Sequence, residues 1–145
     1  MLHLRGLFII IALTLVYCCT ACSEKNEINV AQESYVKWYE KENELEVYVV
    51  VSNSTKHDVS FQASLIFLDE KLKEAVGLET EQLKTDDRNN TSPFHLISFN
   101  ETVFQRKYKT HSKLTREMLS EGIGIKITDQ QKTYTMAIKY GEIQR

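Results

Sequence analysis

The sequence predicts an all-β protein, an antiparallel β-sandwich of six or seven short strands with one short helix. Three observations lead there. Apolar residues alternate with period two in 122–128 (GIGIKIT) and again in 59–68 (VSFQASLIFL), the spacing that turns one face of a strand toward a core. Clusters of Ser, Thr, Asn, Asp and Gln then cut the apolar stretches into short segments, as turns do. Helical spacing, finally, is sustained only over a turn or two. The chain has 145 residues, of which the first 21 read as an export segment, so 124 remain. That is enough for one domain with its own core and too few for two enzyme-sized domains.

The chain opens MLHLRGLFIIIALTLVYCCTACSEK, with Arg5 followed by 16 uncharged, mostly apolar residues, Gly6 to Ala21. This is the form of a signal peptide. A permanent span needs about 20 apolar residues and a basic stop; the run is shorter and ends in small residues. An uncleaved anchor and a soluble secreted chain are the other readings. Cys19, Thr20, Ala21 and Cys22 resemble the bacterial lipobox, although its usual aliphatic residue is here Cys19. The resemblance implies a diacylated Cys22 that becomes residue one, a membrane held through N-terminal lipid, and an extracytoplasmic location. All three cysteines fall between 18 and 22, so the mature chain has no disulfide, thiol nucleophile or cysteine metal site. Residues 22–33 read as a short tether. Between Glu24 and Glu46 seven acids face three lysines, so attraction to anionic headgroups is not expected there.

The sandwich itself is expected over 34–145. Residues 35–39 (YVKWY) form either a first strand or a short amphipathic turn. Residues 45–51 (LEVYVVV) are β-branched and aromatic, favouring a strand, and 52–55 supply its turn. In 59–68, Val59, Phe61, Ala63, Leu65 and Phe67 share a face. For 69–76 the spacing of Leu72, Ala75 and Val76 suits a helix stripe, but Gly77 stops it early, and a short strand at 72–78 is the reading taken. Residues 82–93 make a polar loop, the natural mobile one. Strands follow at 94–99 and 102–109, the second with Phe104, Arg106 and Tyr108 on one face. Ser112 precedes a short helix over 113–120. The strands at 122–128 and 133–140 pair as a C-terminal hairpin about Asp129, Gln130 and Gln131, and the earlier strands form the opposite sheet.

Chemistry is harder to find. His57, His95 and His111 lie in separate predicted elements without HExxH or paired-ligand spacing. Asp86 and Asp87 lack the remainder of a calcium loop. No GxSxG elbow or serine-lysine motif is present. No cofactor and no enzymatic activity are therefore expected. The most distinctive feature is RKYKTHSKLTR, in which Arg106, Lys107, Lys109, Lys113 and Arg116 stand with His111 and no acid. Removing Arg5 from the full-chain charge of −2 leaves the mature chain at −3, so this segment contrasts with the rest. Tyr35, Trp38, Tyr39 and Tyr48 are an aromatic group that either packs a sheet or stacks on a partner. Trp38 and Tyr39 join the basic residues as the candidate interaction surface.

The Cys22 region, the strand VSFQASLIFLD and the stretch KLTREMLSEGIGIKIT together resemble small lipoproteins of Gram-positive bacteria with an immunoglobulin-like extracellular domain. The resemblance implies an immunoglobulin-like sandwich and carries no catalytic residues, and fold alone supplies no function. The expectation is a lipid-anchored binding or accessory module of an envelope complex, or an exclusion or immunity factor, with an envelope protein as partner. The alternative is a binder of anionic wall polymer or lipid through 106–116. Nucleic acid is not an expected partner, and oligomeric state is not encoded.

Overall fold

A computed structural model describes residues 26–84, 93–130 and 132–144. Its elements are β1 (Ile28–Val30), β2 (Tyr35–Tyr39), β3 (Glu44–Asn53), β4 (Val59–Phe67), α1 (Glu70–Val76), β5 (Thr80–Gln82), β6 (Phe94–Leu96), β7 (Glu101–Lys109), α2 (Arg116–Ser120), β8 (Ile123–Thr128), β9 (Thr133–Ala137) and β10 (Tyr140–Gln144). The expected leader 1–21, Cys22 and the loop 85–92 with Asp86 and Asp87 lie outside the described residues.

The fold is all-β, in two sheets. In the first, β3 is central: β7 pairs along one side, and β1 and β2 pair with successive stretches of the other. The ladder break between β1 and β2 is closed by Ser34, whose hydroxyl accepts the Val50 N–H at 2.9 Å, so a buried backbone donor stays satisfied. Beyond β2 lies β10, the one parallel pairing among the described residues. In the second sheet β4 pairs with β8, β8 with β9, and β5 and β6 with successive stretches of β4.

The inward residues follow the period-two pattern. Val36, Trp38, Leu45, Val47, Val49, Val51, Phe104 and Tyr108 of the first sheet meet Phe61, Ala63, Leu65, Phe67, Ile123, Ile125 and Ile127 of the second in one core. Ring contacts cross between the sheets, Phe67 against Tyr108 at 5.3 Å and Phe94 against Phe104 at 4.9 Å, edge-on geometries that aromatic quadrupoles favour. Two polar clasps close the sandwich. Glu81 of β5 takes the Tyr108 hydroxyl at 2.5 Å and Arg106 Nε at 3.3 Å. The Tyr134 hydroxyl of β9 donates to the Ile28 carbonyl at 3.1 Å. Burial first, and then Glu81, push the Tyr108 phenol far above its ordinary range; burial, with Asp129 nearby, pushes Tyr134 up to about 12.

Several expectations change. Ile28–Val30, inside the expected tether 22–33, pairs with β3 as strand β1, and the expected strand 94–99 ends at Leu96. Glu70–Val76 forms a helix where a strand at 72–78 is expected, because both ends are capped: Asp69 accepts the Leu72 N–H at 2.9 Å, and Gly77 ends the helix at φ 75°, a backbone angle that glycine adopts without strain. The second helix begins at Arg116, three residues later than expected, because the capping side chain is Thr115 rather than Ser112. Strands number ten among the described residues, since three-residue pairings such as β1, β5 and β6 are too short to show a period. The hairpin β8–β9 forms as expected, but β4, β5 and β6 join its sheet, and 133–140 splits so that β10 crosses to the other.

Candidate interaction surfaces

Strand alternation that buries Val47 and Val49 turns Glu44, Glu46, Tyr48 and Val50 to the outer face of the first sheet. Register places Tyr35 opposite Tyr48, Lys37 opposite Glu46 and Tyr39 opposite Glu44 on one side, and Lys109, Lys107, Gln105 and Val103 opposite Glu44, Glu46, Tyr48 and Val50 on the other. The centre of this face is Glu46, only 5% exposed. Its carboxylate accepts the Tyr39 hydroxyl at 2.6 Å, the Gln105 amide at 2.5 Å and the Tyr35 hydroxyl at 3.3 Å. Burial opposes its ionisation, yet these donors outweigh that and hold the carboxyl below its ordinary range. The hydrogen bond to Glu46 and then burial raise the Tyr39 phenol; for Tyr35 burial comes first.

The rings form a platform over this acid. Tyr35 and Tyr48 stack at 4.9 Å with planes 11° apart, and Lys37 Nζ sits 4.4 Å from the Tyr35 centroid. Lys107 and Lys109 reach Glu44 at 2.8 and 3.3 Å. At the sheet edge Val103 is 49% exposed. Chemically this is an aromatic surface whose acids Glu44 and Glu46 are held in place by lysine and hydroxyl partners.

The candidate residues named from sequence separate into three places. Trp38 leaves the surface: it is 1% exposed in the core, and its indole Nε1 has no hydrogen-bond partner. Arg106 faces the sandwich edge in the Glu81 clasp and donates to the Lys84 carbonyl at 2.8 Å, because its place opposite Val47 turns it away from the outer face. Tyr39, Lys107 and Lys109 do share the outer face. His111, Lys113 and Arg116 lie past β7 at the helical end of the molecule. There Lys113 pairs with Glu40, the His111 N–H donates to the Ala75 carbonyl at 2.8 Å, and acids Asp69, Glu74 and Glu117 line the same hollow. A contiguous basic strip is thus not formed.

Sequence spacing had kept the histidines apart; the fold brings two of them together. A groove of about 410 Å³ at the other end is lined by Glu27, His57, Asp58, Ser60, His95 and Asp129. His57 Nε2 lies 3.1 Å from Glu27, while His95 Nδ1 lies 3.2 Å from the Ser60 hydroxyl and its Nε2 3.6 Å from Asp58. The last distance exceeds a hydrogen bond, and the His95 side chain is 63% exposed. No cluster of three metal-ligating side chains occurs among the described residues. The β4–β6 register, Ser60 opposite His95, creates this meeting, and only strand pairing could have revealed it.

No protein-family model and no curated protein matches the chain. Among solved structures it is similar to a Pseudomonas fluorescens alkylpurine DNA glycosylase bound to DNA containing an abasic site analog. The TM-score is 0.38 at 6% identity, over 79% of this chain and 30% of that one. A superposition so loose carries no argument about function.

Proposed function

We propose that this chain is a lipid-anchored envelope module, modified at Cys22, that binds a protein partner through the outer face of the β10-β2-β3-β7 sheet. One observation carries the reading: the tyrosine platform pinned on Glu46. Rigid, amphipathic tyrosines with matched charges around them are what protein interfaces use at low entropic cost. An immunoglobulin-like sandwich is part of the same reading, as is a role without catalysis, since the Ser60, His95 and Asp58 row stands open to water. The anionic-polymer alternative has less support, because Arg106, Lys107, Lys109 and Lys113 each already hold an acid. In the full chain, a photo-crosslinking residue at Val103 should give a discrete protein adduct in cells, and one at Leu78 should not. Adducts with wall polymer alone, or none, would reject this surface. Mass spectrometry of the N-terminal peptide tests the acylated Cys22 separately.

A further inference from the structure

Outside that face, the two most exposed large apolar side chains among the described residues, Ile97 and Phe99, lie in one turn. Residues 97–100 join β6 to β7 through an Asn100 N–H to Ile97 carbonyl bond of 3.3 Å. Ile97 is 52% and Phe99 69% exposed, and Phe99 holds φ at 54°. A bulky L-residue in that left-handed region is an outlier, for which glycine or asparagine is the ordinary occupant.

The turn is rigidly held. Asn53 Nδ2 donates to the Leu96 and Ile97 carbonyls at 3.2 and 3.1 Å, its own N–H donates to the Asn100 carbonyl at 2.9 Å, and Asp58 accepts the Ser98 N–H at 2.9 Å. Those bonds fix where the two apolar side chains stand, at the end of the sandwich where the chain enters. Ile28 is opposite Asn53 in the β1–β3 register, and the Ser54 N–H donates to the Glu27 carbonyl at 3.3 Å. Residue 26 therefore lies at the same end of the sandwich as the turn, across β3 from it. From Cys22 to Asn26 there are four residue steps, which reach at most about 14 Å when fully extended. An anchor at Cys22 thus holds this end of the domain against the headgroup layer.

We propose that Ile97 and Phe99 are a second membrane contact, entering the lipid headgroup layer beside the anchor and fixing the orientation of the domain. The proposal rests on the lipid-anchor reading. Its occupant is the bilayer, because the tether is too short to leave room for a sizeable partner beneath the turn. Ile97 and Phe99 carry no charge, so on zwitterionic lipid their contact is apolar and insensitive to salt. It also leaves the tyrosine face running away from the membrane, open to a neighbour.

The test uses the full chain in phosphatidylcholine vesicles brominated near the headgroup end of the acyl chains. Phe99→Trp places a reporter at the tip, Ile97→Trp a second, and Leu78→Trp a control at the helical end; Trp38, buried, gives a common background. Quenching of the added fluorescence at least twofold greater at 99 and 97 than at 78, unchanged in high salt, is the expected result. Floated protein with equal quenching at all three positions overturns the tip contact alone. Protein that fails to float with the vesicles overturns the anchor reading and the contact with it.

Discussion

Replacing Phe99 separates a backbone cost from a side-chain loss. At φ 54° an L-residue pays about 1–2 kcal/mol in the left-handed region, whereas glycine pays nothing there but loses about 0.5–1 kcal/mol more chain entropy on folding. Phe99→Gly and Phe99→Ala both remove a ring that is mostly in water, 69% exposed, so their difference isolates the backbone. Phe99→Gly should be more stable than Phe99→Ala by about 0.5–1 kcal/mol. For a domain of this size that is a difference of about 2–4 °C in Tm. Circular dichroism melts of the two variants in detergent, with urea unfolding as a second measure, give the comparison. An alanine variant equal to or more stable than the glycine variant would refute a strained turn. A confirmed strain would mean that an exposed phenylalanine is kept at a cost in stability, as binding tips often are.

Glu46 carries a pH dependence. Its folded carboxyl is depressed, so its stabilisation is present above the unfolded value of about 4.3 and is lost as pH falls through the folded one. Wild type should therefore exceed Glu46→Gln at pH near 7, and urea midpoints should converge in acid; a constant gap would contradict the assignment. Glu81→Ala strips the clasp from Tyr108 and Arg106 and should cost about 1–3 kcal/mol, read by chemical denaturation. At Gly122 an added Cβ would lie 1.9 Å from the Met118 carbonyl oxygen. Gly122→Ala should thus cost about 1–3 kcal/mol or more by thermal melting, and a neutral result would place the α2–β8 junction wrongly.

How far the sequence could be read depended on the range of the interactions involved. Ile123, Ile125 and Ile127 announce a strand because alternation is local. The shared face of Phe104, Arg106 and Tyr108 was legible for the same reason. The α1 helix was not read, because seven residues give a stripe too brief to outweigh a strand reading, and it is the Asp69 and Gly77 caps that decide it. Trp38 could not be assigned from composition, since an aromatic in a strand serves core or surface according to which neighbour fixes its parity. Here Leu45 opposite it decides for the core.

What the sequence by itself determined is therefore the all-β class and the pairing of β8 with β9. Tertiary structure alone decided that five cations in one segment are dispersed and mostly neutralised. It also gathered Glu46 with three tyrosines from two strands, and set the 97–100 turn at the same end of the sandwich as the start of β1. The physical reason is that period two tells which side a residue faces, while strand register, set by contacts between 7 and more than 100 residues apart, tells what it meets there.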